Sequence, residues 1–555
     1  MDEPLQIIQE RVDSLPVILE TGRRLGLVEA LDECLGSHGN LQGLSYGQLA
    51  LGWLGYILAE NDHRKSVVEV WADGKRRVLG RLLGSAVREG EFNDDRLGRL
   101  LQRLADEGAW QVLEERLWTR TAIVFEWTCD AVRLDSTTSY GYHAVGEDGL
   151  MQLGHSKDRR PDLPQFKLMA AVAEPAGQVL ATAVHPGNAA DDGLYLPMAE
   201  RVRAMVGAGK LYVGDAKMAA LATRAAYLAA GDQYLTRLPV RSSPDERERW
   251  IDALLEGLTP PTAIVFGDAV WGEGVVHERE QQLGDRTWTE QVYLYRSIEG
   301  FERRSADLDR RLAAATEALR ALSPPPGRGR RQLPDLAAMS RGVDRITREH
   351  DVAGMLMPIW RTESWPSRED PERTRIVIDR VHRRDDRIDA ARVRLAWQVL
   401  VSILAAAQLP LADAVRAYND AWRIDLHFRD LWGRLLGVRP LHVATDAQIR
   451  GLTHLLTLGL RILSLITQVA RRSLRKAGAV LEGLYDGQPS RTTDRPTARR
   501  LLHAFHRLEI TLVLIRGPAQ SIVHITPLPD VLARILDHMG LSHDIFTRLA
   551  LLDPE

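Results

Sequence analysis

Two aspartates stand where a sheet-based active site would hold its acids. Asp135 closes the β-prone run AVRLD and is followed by Ser136, Thr137 and Thr138, while Asp215 closes a second run, LYVGD, ahead of Ala216, Lys217 and Met218. Carboxylates at the ends of adjacent strands converge at one edge of an α/β sheet, where ligands bind. Two such groups suit Mg²⁺, which takes oxygen ligands at about 2.0–2.1 Å and favours phosphate substrates. A pair of metals about 3.5–4 Å apart can activate a water and stabilise the leaving oxygen of a phosphodiester, and a third carboxylate usually completes such a site. Taken singly, each aspartate reads first as a helix N-cap or turn former.

The elements that must position them change texture along the chain. Residues 1–125 read as helical, with apolar residues at three and four spacing in LGLVEALDECL, LSYGQLALGWLGYILAE and DDRLGRLLQRLADEGAW. Asn93, Asp94 and Asp95 precede the last of these as a helix cap. AIVFEWTCDAVRLDSTTSYGY and QFKLMAAVAEPAGQVLATAVHPGN then carry short β-prone runs broken by Gly, Pro and Asn. Helices and strands alternate from about 199 to 240, the pattern of a mixed or parallel sheet. Residues 241–395 combine strand-like TAIVFGDAVWG and WTEQVYLYRS with an Ala/Arg-rich helix and an exposed linker, Ser323 to Pro334. From 396 onward long amphipathic helices return.

Composition narrows the class. The chain has 555 residues, 45% hydrophobic and 26% charged, enough for several cores of ordinary globular make-up. No uninterrupted apolar run looks long enough to cross a bilayer, and the acidic start MDEPLQIIQE lacks the order of a secretory signal. Two distant cysteines, Cys34 and Cys129, exclude a disulfide framework and a cysteine zinc site, which fits a reducing cytoplasm. With a net charge of −3 the chain is no bulk polycation. Arginine far outnumbers lysine and makes better bidentate phosphate contacts, although a GC-rich genome explains that bias as well. His155 has no partner histidine or cysteine at ligand spacing, so it reads as structural. Trp53, Trp71, Trp397 and Trp422 read as core.

Three segments, in order, resemble insertion-sequence transposases of the IS-four superfamily. They are GHSKDRRPDLPQFKLMAAV (Gly154 to Val172), HPGNAADD (His185 to Asp192) and VGDAKMAA around Asp215. The family's last acid lies on a helix reading Tyr…Ile-Glu…Phe…Arg-Leu-Lys; here the matching residues are Tyr418, Arg423, Ile424, Asp425, Phe428, Arg429, Leu431 and Trp432. Asp425 thus stands where glutamate is expected, and Trp432 where lysine is. Residues 425, 429 and 432 share one helical face. An aspartate is shorter by about 1.5 Å, a displacement Mg²⁺ tolerates poorly. Asp420 and Asp430 fit worse, and Glu363 reads as a surface residue. GVRPLHVATDAQIRGLTHLLTLGLRIL, TTDRPTARRLLHAF and ITPLP extend the resemblance to nearly the whole chain, most weakly over 240–395.

The resemblance implies an α+β fold: an RNase H-like mixed sheet at 126–240 and 396–470, interrupted by a partly β insertion at 241–395. A helical DNA-binding region at 1–125 would precede it and a helical region at 471–555 would follow. It implies a DDE transposase that binds terminal inverted repeats, hydrolyses a phosphodiester and transfers the 3′ end to target DNA. Asp135, Asp215 and Asp425 would hold Mg²⁺, or Mn²⁺ in its place. Lys157, Arg159, Arg160, Tyr418, Arg423 and Arg429 would hold DNA, with Arg471, Arg472, Arg475 and Lys476 as a further basic cluster or a solvated helix end. The expected partners are double-stranded DNA, both element ends and target, and a second copy in a synaptic homodimer, with no membrane; the expected place is the bacterial cytoplasm, at the nucleoid. Two alternatives stay open: a DNA-binding protein disabled at Asp425, and a non-transposing RNase H-like nuclease.

Overall fold

The computed structural model describes residues 6–36, 42–157, 159–239, 244–325, 335–365, 371–433, 436–437, 440–516 and 521–551. Asp158 and most of the 323–334 linker lie outside them. The chain divides into a larger unit, 1–236 with 417–555, and a smaller one, 237–416.

In the larger unit, strand β1 (Gln6–Arg11) is followed by seven helices: α1 (Leu15–Arg24), α2 (Leu27–Leu35), α3 (Tyr46–Glu60), α4 (Lys65–Asp73), α5 (Arg76–Leu83), α6 (Asp94–Leu104) and α7 (Glu107–Phe125). Local signals set several of their starts. Ser45 and Gln48 form a reciprocal capping box on α3, and the Asn93 side chain accepts from Arg96 N at 2.9 Å on α6. The sheet follows as β2 (Cys129–Tyr140), β3 (Gln165–Pro175), β4 (Gln178–Pro186), helix α8 (Tyr195–Val206), β5 (Leu211–Gly214), helix α9 (Leu221–Ala229) and β6 (Gln233–Arg237). Its order is β4-β3-β2-β5-β6. The first three strands are antiparallel neighbours and the last two run parallel to β2. This order, with the first strand central, is the RNase H-like mixed sheet, and the α+β expectation holds.

The smaller unit carries α10 (Pro244–Leu255), β7 (Thr262–Phe266), β8 (Ala269–Leu283), β9 (Arg286–Ser297), α11 (Ile298–Arg320), α12 (Leu336–Glu349), β10 (Leu356–Ser364), β11 (Thr374–Arg383), α13 (Asp385–Val393) and β12 (Gln398–Ser402). Strands β12-β9-β8-β7 are consecutive antiparallel neighbours, and β10 pairs with β11 as a separate hairpin. QVLVS is the strand β12, bonded to β9, and the division falls after 416.

After helix α14 (Leu411–Asn419) the larger unit resumes with α15 (Trp422–Trp432) and α16 (Asp446–Ala477). Short strands β13 (Leu481–Glu482) and β14 (Thr492–Thr493) come next, then α17 (Ala498–Arg507), β15 (Thr511–Arg516), β16 (Ser521–Ile525), α18 (Asp530–Met539) and α19 (Asp544–Thr547). Both ends of the chain are thus less purely helical than expected: β1 pairs antiparallel with β15, which pairs with β16. One hydrophobic cluster joins the N-terminal helices to β3, β4, α15, α16 and the C-terminal helices.

Helix α16 is the axis of that cluster. It is long and apolar enough to cross a membrane, contrary to expectation, but most of its apolar stretch is buried inside the protein. Gly451 explains the closeness of α6: a Cβ there would stand 2.0 Å from the Leu101 carbonyl. On the back of the sheet Glu114 of α7, fully buried, accepts from Arg461 of α16 at 3.0 Å, from the Thr182 amide of β4 at 3.1 Å, and from Arg201 of α8. A buried carboxylate costs several kcal/mol unless paired in this way, so the network ties three helices and a strand together.

Candidate functional site

The register of two strands brings the first two acids together. Parallel pairing aligns Arg133 of β2 with Val213 of β5. Asp135 lies two residues beyond that last paired position in β2, and Asp215 immediately follows the end of β5, near enough for its charge to act on Asp135. Asp135 is inside β2 rather than at its end, as the sequence suggested, because β2 continues to Tyr140 with β3 as partner; Asp135 pairs with Ala170. Strand β5 stops at Gly214. A Cβ on Gly214 would stand 2.8 Å from the Met218 sulfur and 3.1 Å from the Tyr195 ring, so glycine lets these two side chains pack close to the end of the strand.

Asp215 caps the short helix Ala216–Ala219, its Oδ1 accepting from Lys217 N at 2.9 Å and from the Tyr195 hydroxyl at 2.6 Å. The Thr236 hydroxyl of β6 holds the Asp215 carbonyl at 2.7 Å. The N-cap role foreseen for an isolated aspartate is thus found in this residue. Asp135 Oδ1 accepts from Ser136 N at 2.7 Å and faces Lys157 Nζ at 3.7 Å. Burial pushes the Asp135 carboxyl up to about 6, and the charges of Asp215 and Asp425 add to the rise while Lys157 opposes it. The Tyr195 phenol is pushed up strongly by burial and by Asp215, Asp135 and Asp191.

Asp425, exposed in the first turn of α15, thus lies within electrostatic reach of Asp135. Ile424, Phe428 and Leu431 anchor the helix in the core. Trp432, at the expected lysine position, is an anchor as well: its Nε1 donates to Thr137 Oγ1 of β2 at 3.0 Å, and its ring meets Phe166 edge-on at 5.8 Å. The chain entering α15 is held by Arg133. Almost fully buried, it pairs with Glu174 at 2.7 Å and donates to the carbonyls of Ala417 and, at 3.4 Å, Tyr418.

The other expected contacts are distributed. Lys157 stays at the acids and also donates to the Ser136 carbonyl. Arg160 turns to Asp162 at 2.8 Å and lies over the Tyr140 ring, while Arg159 is exposed with φ +58°. Tyr418 contributes its carbonyl to Arg133. Arg423 and Arg429 line a cavity that Asp425 does not line, so the single helical face expected for residues 425, 429 and 432 is split: Asp425 toward Asp135, Trp432 into β2, Arg429 into the cavity. Arg423 also pairs with Asp420 at 3.1 Å, Asp430 lines the same cavity, and Glu363 pairs with Arg375 at 3.3 Å in the smaller unit. His155 contributes its carbonyl to the Gln165 amide, a structural role.

Tyr195, Lys167 and Asp191 were missed as site residues. Lys167 of β3 pairs with Asp191 at 2.7 Å, and although burial opposes it, that bond holds the Asp191 carboxyl below its ordinary range. Both acidic turns followed strands in the sequence, which was the available signal; Tyr195 gave none beyond starting a helix after HPGNAADD. Arg133 could have been found by alternation, being two residues from Asp135 on the same face of a buried strand.

Among the described residues no three acids stand close enough to form a ready-made metal cluster. Asp215 and Asp425 nevertheless both add to the rise of the Asp135 carboxyl, after burial.

Comparison with known proteins adds little. Residues 7–116 match a family described as a domain of unknown function (DUF4277), less than a quarter of the chain. No curated protein matches. Among solved structures, a piggyBac transposase synaptic complex with hairpin DNA aligns over 97% of this chain and 88% of that one, at 9% identity and a TM-score of 0.34. A likeness that faint carries no argument about this chain.

Proposed function

We propose that the protein is a DDE-type transposase of the insertion-sequence kind, with Asp135, Asp215 and Asp425 as its acids. What supports this reading is that Asp135 and Asp215 follow the paired segments of two parallel neighbouring strands, and that the charges of Asp215 and Asp425 both act on Asp135. Bound Mg²⁺ or Mn²⁺ would supply the activated water and charge stabilisation that phosphodiester cleavage needs. The chain's own residues do the rest. Tyr195 and the Lys217 amide orient Asp215, Lys157 balances Asp135, and Arg133 with Trp432 seats the helix bearing Asp425. Lys157, Arg159, Arg160, Tyr418, Arg423 and Arg429 would hold duplex DNA at the element ends and target, with two copies acting on paired ends.

The test is to incubate the full chain, with Mg²⁺ or Mn²⁺, with duplexes carrying the inverted repeats that flank its own reading frame. Nicking at the repeat ends, lost in Asp135→Asn, is the expected result; no binding and no nicking would sink the proposal. A second reading rests on the exposure of Asp425 and its one-methylene deficit: a protein that binds the ends without cutting them. Binding without nicking, together with cleavage restored by Asp425→Glu, would favour it.

A further inference from the structure

Beside α15, and apart from the acids, is a cavity of about 730 Å³ whose lining is strongly cationic. Arg423 and Arg429 of α15, Arg471, Arg472 and Arg475 of α16, Arg495 just before α17 and Arg499 in its first turn all line it; among the described residues the acids there are Glu126 and Asp430. Its volume is that of a small-molecule pocket, typically about 300–1,000 Å³. Leu426, Leu460 and Leu463 give it an apolar floor.

The plain explanation of the α16 arginines is a helix C-terminus whose partial negative charge favours cations. That does not account for guanidinium groups arriving from two other segments. Nor are they neutralised within the protein. Arg423 pairs with Asp420, but its buried Nε has no hydrogen-bond partner. Arg471 is spent on the Pro496 carbonyl at 2.8 Å and Arg472 on the Phe125 carbonyl at 2.7 Å. Among the described residues no carboxylate lies within ion-pair distance of Arg429, Arg475, Arg495 or Arg499, although the charge of Asp430 is felt by Arg429 and Arg499. Burial and the neighbouring charges of Arg495, Arg423 and Arg475 push the Arg471 guanidinium down, and the opposing charge of Asp494 does not offset them.

We propose that this cavity binds a phosphate-rich anion, several phosphate groups held by the guanidinium forks of Arg429, Arg475, Arg495 and Arg499. Arginine's planar fork matches phosphate oxygens two at a time, and a run of phosphates supplies the repeated negative charge that four unpaired guanidiniums require. The phosphates can belong to a DNA strand or to a free polyphosphate; the chemistry is shared. The site stands whether or not the three acids cut DNA.

The test uses the full-length protein and inorganic tripolyphosphate, by titration calorimetry at near-physiological salt. Wild type is expected to bind one equivalent with an affinity that weakens as salt rises. Arg475→Glu/Arg499→Glu should weaken binding by about a hundredfold or more, given roughly a tenfold loss per charged contact. Arg475→Gln/Arg499→Gln should give an intermediate loss at an unchanged melting transition, and Asp135→Asn should bind like wild type. Equal binding by wild type and the charge-reversed variant, or no binding by wild type, overturns the proposal. A 5′-phosphorylated single-stranded oligonucleotide that competes for the site identifies a strand as the source. Tripolyphosphate binding without such competition identifies a free polyphosphate. Nicking of element ends, the readout for the acids, has no part in either arm.

Discussion

Replacing Asp135 by asparagine should stabilise the metal-free protein at neutral pH, although it deletes a central acid. The carboxyl is raised from 3.8 to about 6. The folded state therefore keeps a proton that the unfolded chain has already released. Below about pH 3.8 both states are protonated and there is no penalty. As pH rises from about 4 to 6 the penalty grows, and above 6 it is complete. At about 1.4 kcal/mol per pH unit it reaches roughly 3 kcal/mol. Because the side chain is 24% exposed, solvent screening brings the expectation to about 2–3 kcal/mol. For a unit of roughly 375 residues, unfolding entropy of about 2.1 cal/mol/K per residue converts this to about 3–4 °C. The assay is calorimetric melting of wild type and Asp135→Asn with chelator present, at pH 4 and 7.5. The variant should melt with wild type at pH 4 and above it at pH 7.5. Mg²⁺ at a hundred times its dissociation constant should then lift wild type by about 2.7 kcal/mol and leave the variant unmoved. A variant that melts at or below wild type at pH 7.5, or Mg²⁺ raising both equally, would refute the reasoning.

Glu114→Ala leaves Arg461 and Arg201 buried without their counterion and should cost about 3–5 kcal/mol by urea unfolding; a loss under 1 kcal/mol would show the network to be idle. Gly187→Ala would put a Cβ 2.0 Å from the Gln165 carbonyl, so a loss of about 1–3 kcal/mol is expected in the same assay. Tyr195→Phe removes the hydroxyl that orients Asp215 and should slow nicking about tenfold and raise the Mg²⁺ needed for half-maximal rate; an unchanged metal requirement would remove Tyr195 from the site. Burial pushes His63 down to about 4 and His454 to about 3. As pH falls below about 6.5 the unfolded chain takes up protons that these folded histidines refuse, so stability present above 6.5 should be lost between 6.5 and 4. Equal denaturation midpoints at pH 7 and 4.5 would contradict this.

What the sequence could disclose depended on how local each determinant was. Asp135 and Asp215 were legible because each follows an apolar β-prone run and precedes a change of element, and both signals lie within a few residues. The position of Asp135 inside β2 was not, because the extra length of that strand exists only through pairing with β3, a tertiary fact. Strand β1 was read as part of a helical region for a similar reason: QIIQER has no local turn partner, and the strand it joins is some five hundred residues away. Helix α16 shows the converse. Its length and apolar content are plain in the sequence, but whether such a helix faces lipid or protein depends on its neighbours, here Leu101 against Gly451 and Glu114 against Arg461.

The third acid depended on the resemblance alone, since nothing near Asp425 distinguishes it from Asp420 or Asp430. Structure separates the three by direction, with Asp425 acting on Asp135, Asp420 tied to Arg423 and Asp430 in the arginine cavity. The same helix therefore serves two chemistries on neighbouring faces. Sequence reasoning grouped Arg429 with Asp425 because four residues bring them within about 40° around a helix. It could not see that β2 and α16 claim different sides of that arc. If the helix is the element through which phosphate recognition and the acids are coupled, Arg133 is where the coupling would be cut. Arg133→Met keeps the bulk in the strand and releases the carbonyls of Ala417 and Tyr418. It should depress nicking while tripolyphosphate binding persists, and parallel loss of both would mean that the helix had simply come loose.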